Sequence, residues 1–444
     1  MKRILSFFIV VLLTFSLISG VSCAVEQSFV GTTSAQTPIV IAKLKFSKKF
    51  GANYRAAPTP LTVVGDTLLL VSGVKLYKLN AQTGDEIASV KLQSTTLYAT
   101  VAPIYADGKV FVQLDGGIVQ AFDYQSLKSL WIYEDPLGGQ AICPITYSSG
   151  YIYTGFWNDE DEDANYICLS VDDEDINNEY ESKNASWTYR SQGGFYWAGC
   201  AVSDKFVVFG KDDGQKGSDS QSSIVVVDKS NGKEVSAIET EGDIRSSVTF
   251  YSENDSYYVS SKAGYVYKFT MDSETGVLSS LKAYKAEGAV TATPVVYNNR
   301  LYIGYQSGKS GKFAVLDANT MKEIYSCEML GYPQNTMLVS IGYEATTSKV
   351  YIYSTYNNRP GGITVFEDSE GQTKPQKTEL FKPDDSQSQY CISTVSVGAD
   401  GTLYYKNDSG YIFAVTSDVT ENGFVERIIA FINRLIEKIK SLFR

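Results

Sequence analysis

Val64–Ile87 reads VGDTLLLVSGVKLYKLNAQTGDEI. Leu68 to Val71 is an apolar run of strand length, and Leu76-Tyr77-Lys78-Leu79-Asn80 is a second one ending on a polar residue. Gly65-Asp66 precedes the first run, Gly73 separates the two and Thr83-Gly84 follows the second, so each run is bounded by turn residues. With Leu61 to Val64 ahead of it, the stretch spells strand, tight turn, strand, glycine turn, strand.

This unit recurs from Pro58 onward. The second copy gives Pro103-Ile104-Tyr105, Asp107-Gly108, Val110 to Val112, Gly116-Gly117 and Val119 to Asp123, with Trp131 in a fourth strand. The other six centre on Tyr151 to Thr154, Phe206 to Phe209, Tyr257 to Ser260, Leu301 to Gly304, Val350 to Tyr353 and Leu403 to Tyr405. The polar residue closing the third strand falls at Asn80, Asp123, Asp172, Asp228, Thr270, Asp317, Glu367 and Thr416, in steps of 42 to 56 residues. Eight copies at this period predict an all-β protein, an eight-bladed β-propeller of four-stranded antiparallel blades. The 32 tyrosines then have a structural role between facing sheets. The last unit stops after Val415 without a fourth strand, while Pro38 to Phe46 (PIVIAKLKF) is a lone strand ahead of the first. The two are expected to pair, closing the ring and removing its open sheet edges. The propeller is placed at 38–418, with 25–37 as a linker.

Units such as VGDTLLLVSGVKLYKLNAQTGDEI, PVVYNNRLYIGYQSGKSGKFAVLDANTMKEI and ADGTLYYKNDSGYIFAVTS resemble the repeats of pyrroloquinoline-quinone-like (quinoprotein-like) propellers over roughly Pro38 to Ser417. That resemblance implies the fold, and it spans two kinds of protein: quinone-dependent dehydrogenases, and non-catalytic propellers such as the lipoproteins that assist outer-membrane protein assembly. The enzymes of the family carry a vicinal cysteine disulfide, a Trp stacked on the quinone, and a calcium ion held by Glu and Asn beside a catalytic Asp. Here no two cysteines are adjacent and Trp131 and Trp187 take fourth-strand positions, where blade packing explains them. The reading is therefore of the non-catalytic type, with no cofactor, no metal and no catalytic residue assigned.

The chain begins with Lys2-Arg3, an apolar run from Ile4 to Ile18 and small residues at Ser19, Gly20, Ser22 and Ala24, the order of a secretory signal peptide ending at residue 24. Ordinary secretion is the first reading, and a lipoprotein anchored at Cys23 is the alternative. Loss of Lys2 and Arg3 with the leader takes the net charge from −11 to −13. An acidic surface of this kind disfavours nucleic acid as a partner. Cys143, Cys168, Cys200, Cys327 and Cys391 are too scattered for a disulfide framework, although one bridge stays open. The chain has no histidine, which excludes Ser-His-Asp and Cys-His catalysis and histidine zinc sites.

Ser191-Gln192-Gly193-Gly194-Phe195-Tyr196-Trp197 joins glycines to three consecutive aromatics in a blade-connecting loop, either a ligand platform or packing between blades. Equivalent loops bring Tyr54, Arg55, Tyr98, Gln140, Arg245, Gln334 and Tyr390, expected with Phe195, Tyr196 and Trp197 to form an aromatic and amide-lined cup for a protein or carbohydrate. The acidic run Asn158 to Asp163, and Asp172 to Glu181 after it, read as solvated insertions, with calcium chelation as the competing possibility. The competing function is a carbohydrate-active or quinone-dependent enzyme with a carboxylate site in the channel. Finally, Val425, Ile428, Ile432, Leu435, Ile439 and Leu442 follow helical spacing within 419–444, with Glu426, Arg427, Arg434, Glu437, Lys438 and Lys440 opposite. This amphipathic helix is expected to pack on the propeller, self-associate or lie on a membrane surface.

Overall fold

The computed structural model describes residues 25–27, 31–96, 98, 100–217 and 220–417. The leader and the amphipathic segment of 419–444 lie outside the described residues. The rest forms eight sheets, each built on a unit of four antiparallel strands, here A to D from the channel outward. Blade 1 is Thr62–Val64, Thr67–Ser72, Lys75–Asn80 and Glu86–Lys91. Blades 2 to 7 follow in chain order at 104–134, 146–192, 201–241, 249–285, 295–329 and 338–381. Blade 8 takes its A to C strands from Ser396–Val397, Leu403–Lys406 and Tyr411–Thr416, and its D strand from Lys43–Lys49, which pairs antiparallel with Tyr411–Thr416. The ring is closed by the two ends of the chain, as the repeat count requires.

The core is divided among the eight blade junctions. One apolar cluster fills each: Leu61, Leu68, Tyr404 and Ile412 between blades 8 and 1, Phe111, Trp131, Ile152 and Ile167 between blades 2 and 3, Tyr153, Trp187, Phe209 and Val225 between blades 3 and 4. Trp131 and Trp187 are core residues, exposed by 0 and 6 %. A recurrent polar lock accompanies this packing. A side chain of one blade donates to the carbonyl just past the C strand of the next: Lys78 Nζ to Tyr124 (3.1 Å), Trp187 Nε1 to Lys229 (2.9 Å), Tyr258 Oη to Ala318 (2.8 Å) and Tyr404 Oη to Ala81 (2.9 Å). The polar end of each long side chain thus finds a partner while its body is buried.

The C-to-D turns explain the polar residue that closes the third strand. Asn80, Asp123, Asp228, Asp272 and Asp317 each accept backbone N–H groups two or three residues on, the Asx turn. Gly84, Gly232 and Gly276 complete three of these turns at φ of +72°, +70° and +71°, where a side chain would be strained. In blade 5 the turn residue is Asp272, two beyond Thr270, and in blade 7 the strand ends on Asp368 instead of Glu367. Hydrogen bonds from the hydroxyls of Ser126, Ser230 and Thr275, then from backbone N–H groups, hold Asp123, Asp228 and Asp272 below the usual carboxylate range. A depressed folded pKa contributes stability above the unfolded value of about 3.9 and loses it as pH falls through the folded value. Urea midpoints are therefore expected to drop steadily below about pH 4, where these turns lose their caps.

Residues 25–37 do more than link. Glu26–Gln27 adds to the inner strand of blade 4, and Thr32–Thr33 runs parallel to the inner strand of blade 7. Gln27 Oε1 also accepts from Phe250 N of blade 5 (2.8 Å). The segment therefore lines the channel before Ala42 N bonds to Leu380 O (2.8 Å) and the chain enters blade 8. Glu26 pairs with Val202 and Thr416 with Lys43, beside A-to-B turns, so both ends of the described chain emerge on one face, the lower. The D-to-A loops occupy the upper face.

The acidic excursion of blade 3 is folded, not solvated throughout. Glu181–Ser182 adds a parallel strand to the edge of blade 2, and the buried Glu181 carboxylate accepts from Asp175 N (2.6 Å) beside the buried Lys183.

The loop face and channel as candidate binding site

All ten candidate residues fall in D-to-A loops on the upper face: Tyr54 and Arg55 between blades 8 and 1, Tyr98 between 1 and 2, Gln140 between 2 and 3, Phe195 to Trp197 between 3 and 4, Arg245 between 4 and 5, Gln334 between 6 and 7, Tyr390 between 7 and 8. The structure sorts them into separate groups.

Tyr54 and Tyr98 bring their rings to 5.7 Å, with the Arg55 guanidinium 5.8 and 5.9 Å from the two centroids and its Nε donating to Tyr54 Oη at 3.1 Å. Both rings are open to solvent, at 51 and 37 %. Asn53 caps the short 3₁₀ turn Tyr54–Ala56 by accepting from Arg55 N, and Tyr98 takes φ +55°. Two aromatic faces and a delocalised cation are thus presented together.

Tyr196 lies edge-on to Trp157 (5.2 Å) and Trp197 (4.8 Å), and the Arg245 guanidinium sits 4.6 Å from its centroid. Arg245 is buried among carboxylates. Its Nε and Nη2 reach Asp212 Oδ2 at 3.1 and 2.7 Å, and Nη2 also reaches Asp243 (3.1 Å) and Glu160 (3.3 Å). Lys262 adds a second cation, 3.4 Å from Glu160 and 3.5 Å from Asp243. Burial, opposed by Arg245, pushes the Asp212 carboxyl up to about 7, and burial also raises Asp243. Arg245 therefore acts as the internal counter-ion of the cluster, with its guanidinium packed on the ring of Tyr196. Asp212, Asp243, Lys262 and Trp157 escaped the sequence reading, because they come from B-to-C and D-to-A turns of three blades and no local spacing joins them.

Phe195 is not on the surface. It is fully buried against Tyr166 (5.0 Å) and Phe209 (5.6 Å), in space left by Gly155, whose missing Cβ would come within 2.7 Å of it. Gln140 is engaged through its backbone, pairing with Trp157, and Gln334 Oε1 accepts from Asn357 Nδ2 at 2.6 Å. Tyr390 stands apart, 46 % exposed.

The channel links the first two groups. Its cavity of about 470 Å³ is lined from all eight blades, by Thr100, Trp197, Ser247, Thr293, Asn335 and Thr394 among others, and also by Thr32 and Thr33. Trp197 Nε1 donates to Thr100 Oγ1 at 3.1 Å, two residues from Tyr98. Among the described residues no charged side chain lines this cavity.

The acidic run is neutralised by neighbouring cations. Asp159 pairs with Lys216 (3.0 Å), Glu160 with Arg245 and Lys262, Asp163 with Arg190, and Asn158 Nδ2 donates to the Leu137 and Asp163 carbonyls. Among the described residues the five cysteines are unbridged, and the one pairing left open by the sequence is not formed between them. Burial pushes Cys143 and Cys168 up to about 12 and Cys200 and Cys391 up to about 11, which makes them poor nucleophiles at neutral pH.

Residues 40–156 match the family model of the outer membrane protein assembly factor BamB, a PQQ-type repeat family. BamB from Moraxella catarrhalis superposes with a TM-score of 0.55 at 13 % identity, over 85 % of this chain and 100 % of that one. The chain has the fold of a PQQ-like propeller, and residues 40–156 match a PQQ-type repeat family. The quinohemoprotein alcohol dehydrogenase of Comamonas testosteroni shares the fold of this PQQ-like propeller with a TM-score of 0.60 at 12 % identity, over 86 % of this chain and 78 % of that one. The computationally designed protein Ika8 does so at 0.56 and 15 %, over 83 and 99 %. A search of the curated proteins returns no match. At these identities the likeness is one of fold, and the fit of a quinone and its calcium ion must be judged from the donors present. They do not fit this PQQ-like propeller. Among the described residues no carboxylate lines the channel cavity to hold a divalent ion, no two cysteines adjoin in the sequence, and on the loop face Asp212 and Asp243 are occupied by Arg245 and Lys262.

Proposed function

We propose that this propeller is an exported, non-catalytic scaffold that holds a protein partner on its loop face. Tyr54, Arg55 and Tyr98 are the anchors, and Trp197 at the channel mouth extends the contact. The observation that carries the reading is the exposed Tyr54–Arg55–Tyr98 group. Tyr and Arg are residue types that concentrate binding energy at protein interfaces, Tyr because it supplies a large contact area with only two torsions to freeze and Arg because its planar guanidinium stacks and hydrogen-bonds at once. The uncharged channel wall supports a binding role over acid-base chemistry. Residues 1–24 carry the export signal, which places the scaffold outside the cytoplasm in this reading.

The test is quantitative affinity isolation with the secreted chain and with Tyr54→Ala/Arg55→Ala/Tyr98→Ala. Loss of one anchor of about 2 kcal/mol weakens binding roughly thirtyfold, so partner recovery should fall at least tenfold. The melting temperature should stay within about 2 °C, since surface side chains are being removed. Equal recovery of every partner by both forms would rule out this face.

A further inference from the structure

Three carboxylates and two cations from blades 3, 4 and 5 meet at the loop face. Arg245 Nη2 touches Asp212, Asp243 and Glu160, and Lys262 Nζ bridges Glu160 and Asp243. Asp212 and Asp243 are buried, whereas the Glu160 side chain keeps 23 % of its surface exposed. Three negative charges therefore face two positive ones. The half-buried Asp213, whose N–H donates to Asp243 Oδ1 (2.9 Å), adds a fourth negative charge beside Asp243. Lys216, on the same loop as Asp212, is turned away to Asp159 (3.0 Å). Tyr196, its phenol raised by burial, and the indole of Trp157 complete the surround without charge.

A buried site with surplus negative charge keeps a proton at a pH where an isolated carboxyl has lost it. Asp212 is the most enclosed of the three carboxylates, and Glu160 the least. With Asp212 neutral, Arg245 and Lys262 balance Asp243 and Glu160. With Asp212 ionised, Arg245 is matched by Asp212 at 2.7 Å and Glu160, held at 3.3 and 3.4 Å, becomes the surplus charge. We infer that the cluster is a proton-operated latch: a proton on Asp212 holds the 158–163 turn of blade 3 against blades 4 and 5, and its loss releases Glu160. Opening takes the Glu160 charge off the guanidinium that it shares with Asp212, so the open form binds the proton less tightly. By linkage, rising pH then drives opening. Burial, opposed by Arg245, sets the window by raising Asp212 to about 7, above the unfolded value of about 3.9. The latch therefore contributes stability at low pH and loses it as pH rises through the folded value, the reverse of the Asx turns. This goes beyond the partner-binding reading and does not depend on it.

Hydrogen exchange of the full secreted chain, corrected for the intrinsic effect of pH on amide exchange, tests the latch. The reporters are the amides of 158–163 and of Gly217, which donates to Glu160 Oε2 (2.8 Å). Their protection should fall about tenfold between about pH 6 and about pH 8, the worth of one charge-assisted hydrogen bond, with a midpoint near 7. Asp212→Asn, a neutral stand-in for the protonated carboxyl, should keep the turn protected at both pH values. Glu160→Gln, at a part-exposed position, removes the latched charge and should show the low protection at both. Should Asp212→Asn fail to fold, Glu160→Gln decides alone. Equal protection of the unsubstituted chain at the two pH values, or a pH step that persists unchanged in a folded variant, overturns the inference.

Discussion

A chain lacking Lys43–Lys49 is expected to be recovered as aggregate or as a loosely packed species without a cooperative melt. Three losses coincide in this deletion. Tyr411–Thr416 loses its ladder partner along its whole length, leaving an exposed edge in blade 8. Phe46 leaves the cluster it shares with Leu61, Leu68, Tyr404 and Ile412, which joins blade 8 to blade 1. Its ring also packs where a Cβ on Gly84 would come within 2.6 Å, so the turn of blade 1 is shaped to receive it. A ring opened at one junction exposes two sheet faces, in a fold whose net stability is ordinarily only about 5 to 15 kcal/mol. A circular permutant that places 38–49 after Ser417 should recover folding, because in the other seven blades the D strand follows the C strand in sequence. A cooperative melt of the deletion at a temperature close to that of the full chain would contradict the closure.

Asp368→Ala is expected to be the most damaging single substitution at a blade junction. The Asp368 carboxylate is fully buried and accepts four hydrogen bonds, from Arg300 Nε (2.5 Å) and Nη2 (2.8 Å) and from the hydroxyls of Tyr302 and Tyr325 (2.8 Å each). Arg300 and both tyrosines belong to blade 6 and Asp368 to blade 7, so one side chain ties the two together. Its removal leaves a buried guanidinium with the Gln372 carbonyl and strands two phenolic hydroxyls. Breaking a buried pair in this way costs about 3 to 5 kcal/mol. Chemical denaturation should show that loss in midpoint at an unchanged slope, whereas a loss under about 1 kcal/mol would mean that water enters the junction and solvates Arg300.

The period, the blade count and the closing strand were all readable from the chain, and the reason is turn chemistry. Asn80, Asp123, Asp228 and Asp317 must carry an Asx side chain to cap the C-to-D turn, so they recur visibly. Thr270 and Glu367 misled because β-strand polarity alternates near the turn, and only the side-chain caps at Asp272 and the inward-facing Asp368 reveal the true positions. The route of 25–37 was hidden for the opposite reason. Its pairing is by backbone alone, and the polar stretch GTTSAQT has no periodicity to mark a strand.

The site was legible in part. Blade-connecting loops are identifiable by position, so all ten candidates land on one face. What sequence could not resolve is which ring of Phe195-Tyr196-Trp197 turns inward, since that depends on the space beside Gly155, forty residues earlier in the chain. Nor could it show that Arg245 is held by Asp212 and Asp243, because the cluster is assembled from loops that meet only when neighbouring blades stack.

Site-specific photo-crosslinking compares the two faces most directly. A benzophenone side chain replaces Tyr98 on the loop face in one chain, and Ile176, 84 % exposed on the lower-face excursion of blade 3, in another. The expected result is a discrete protein adduct at position 98 that is absent at 176 and is lost when Arg55→Ala is added. Adducts at 176 alone, or a position-98 adduct indifferent to Arg55, would contradict a partner held by the loop face.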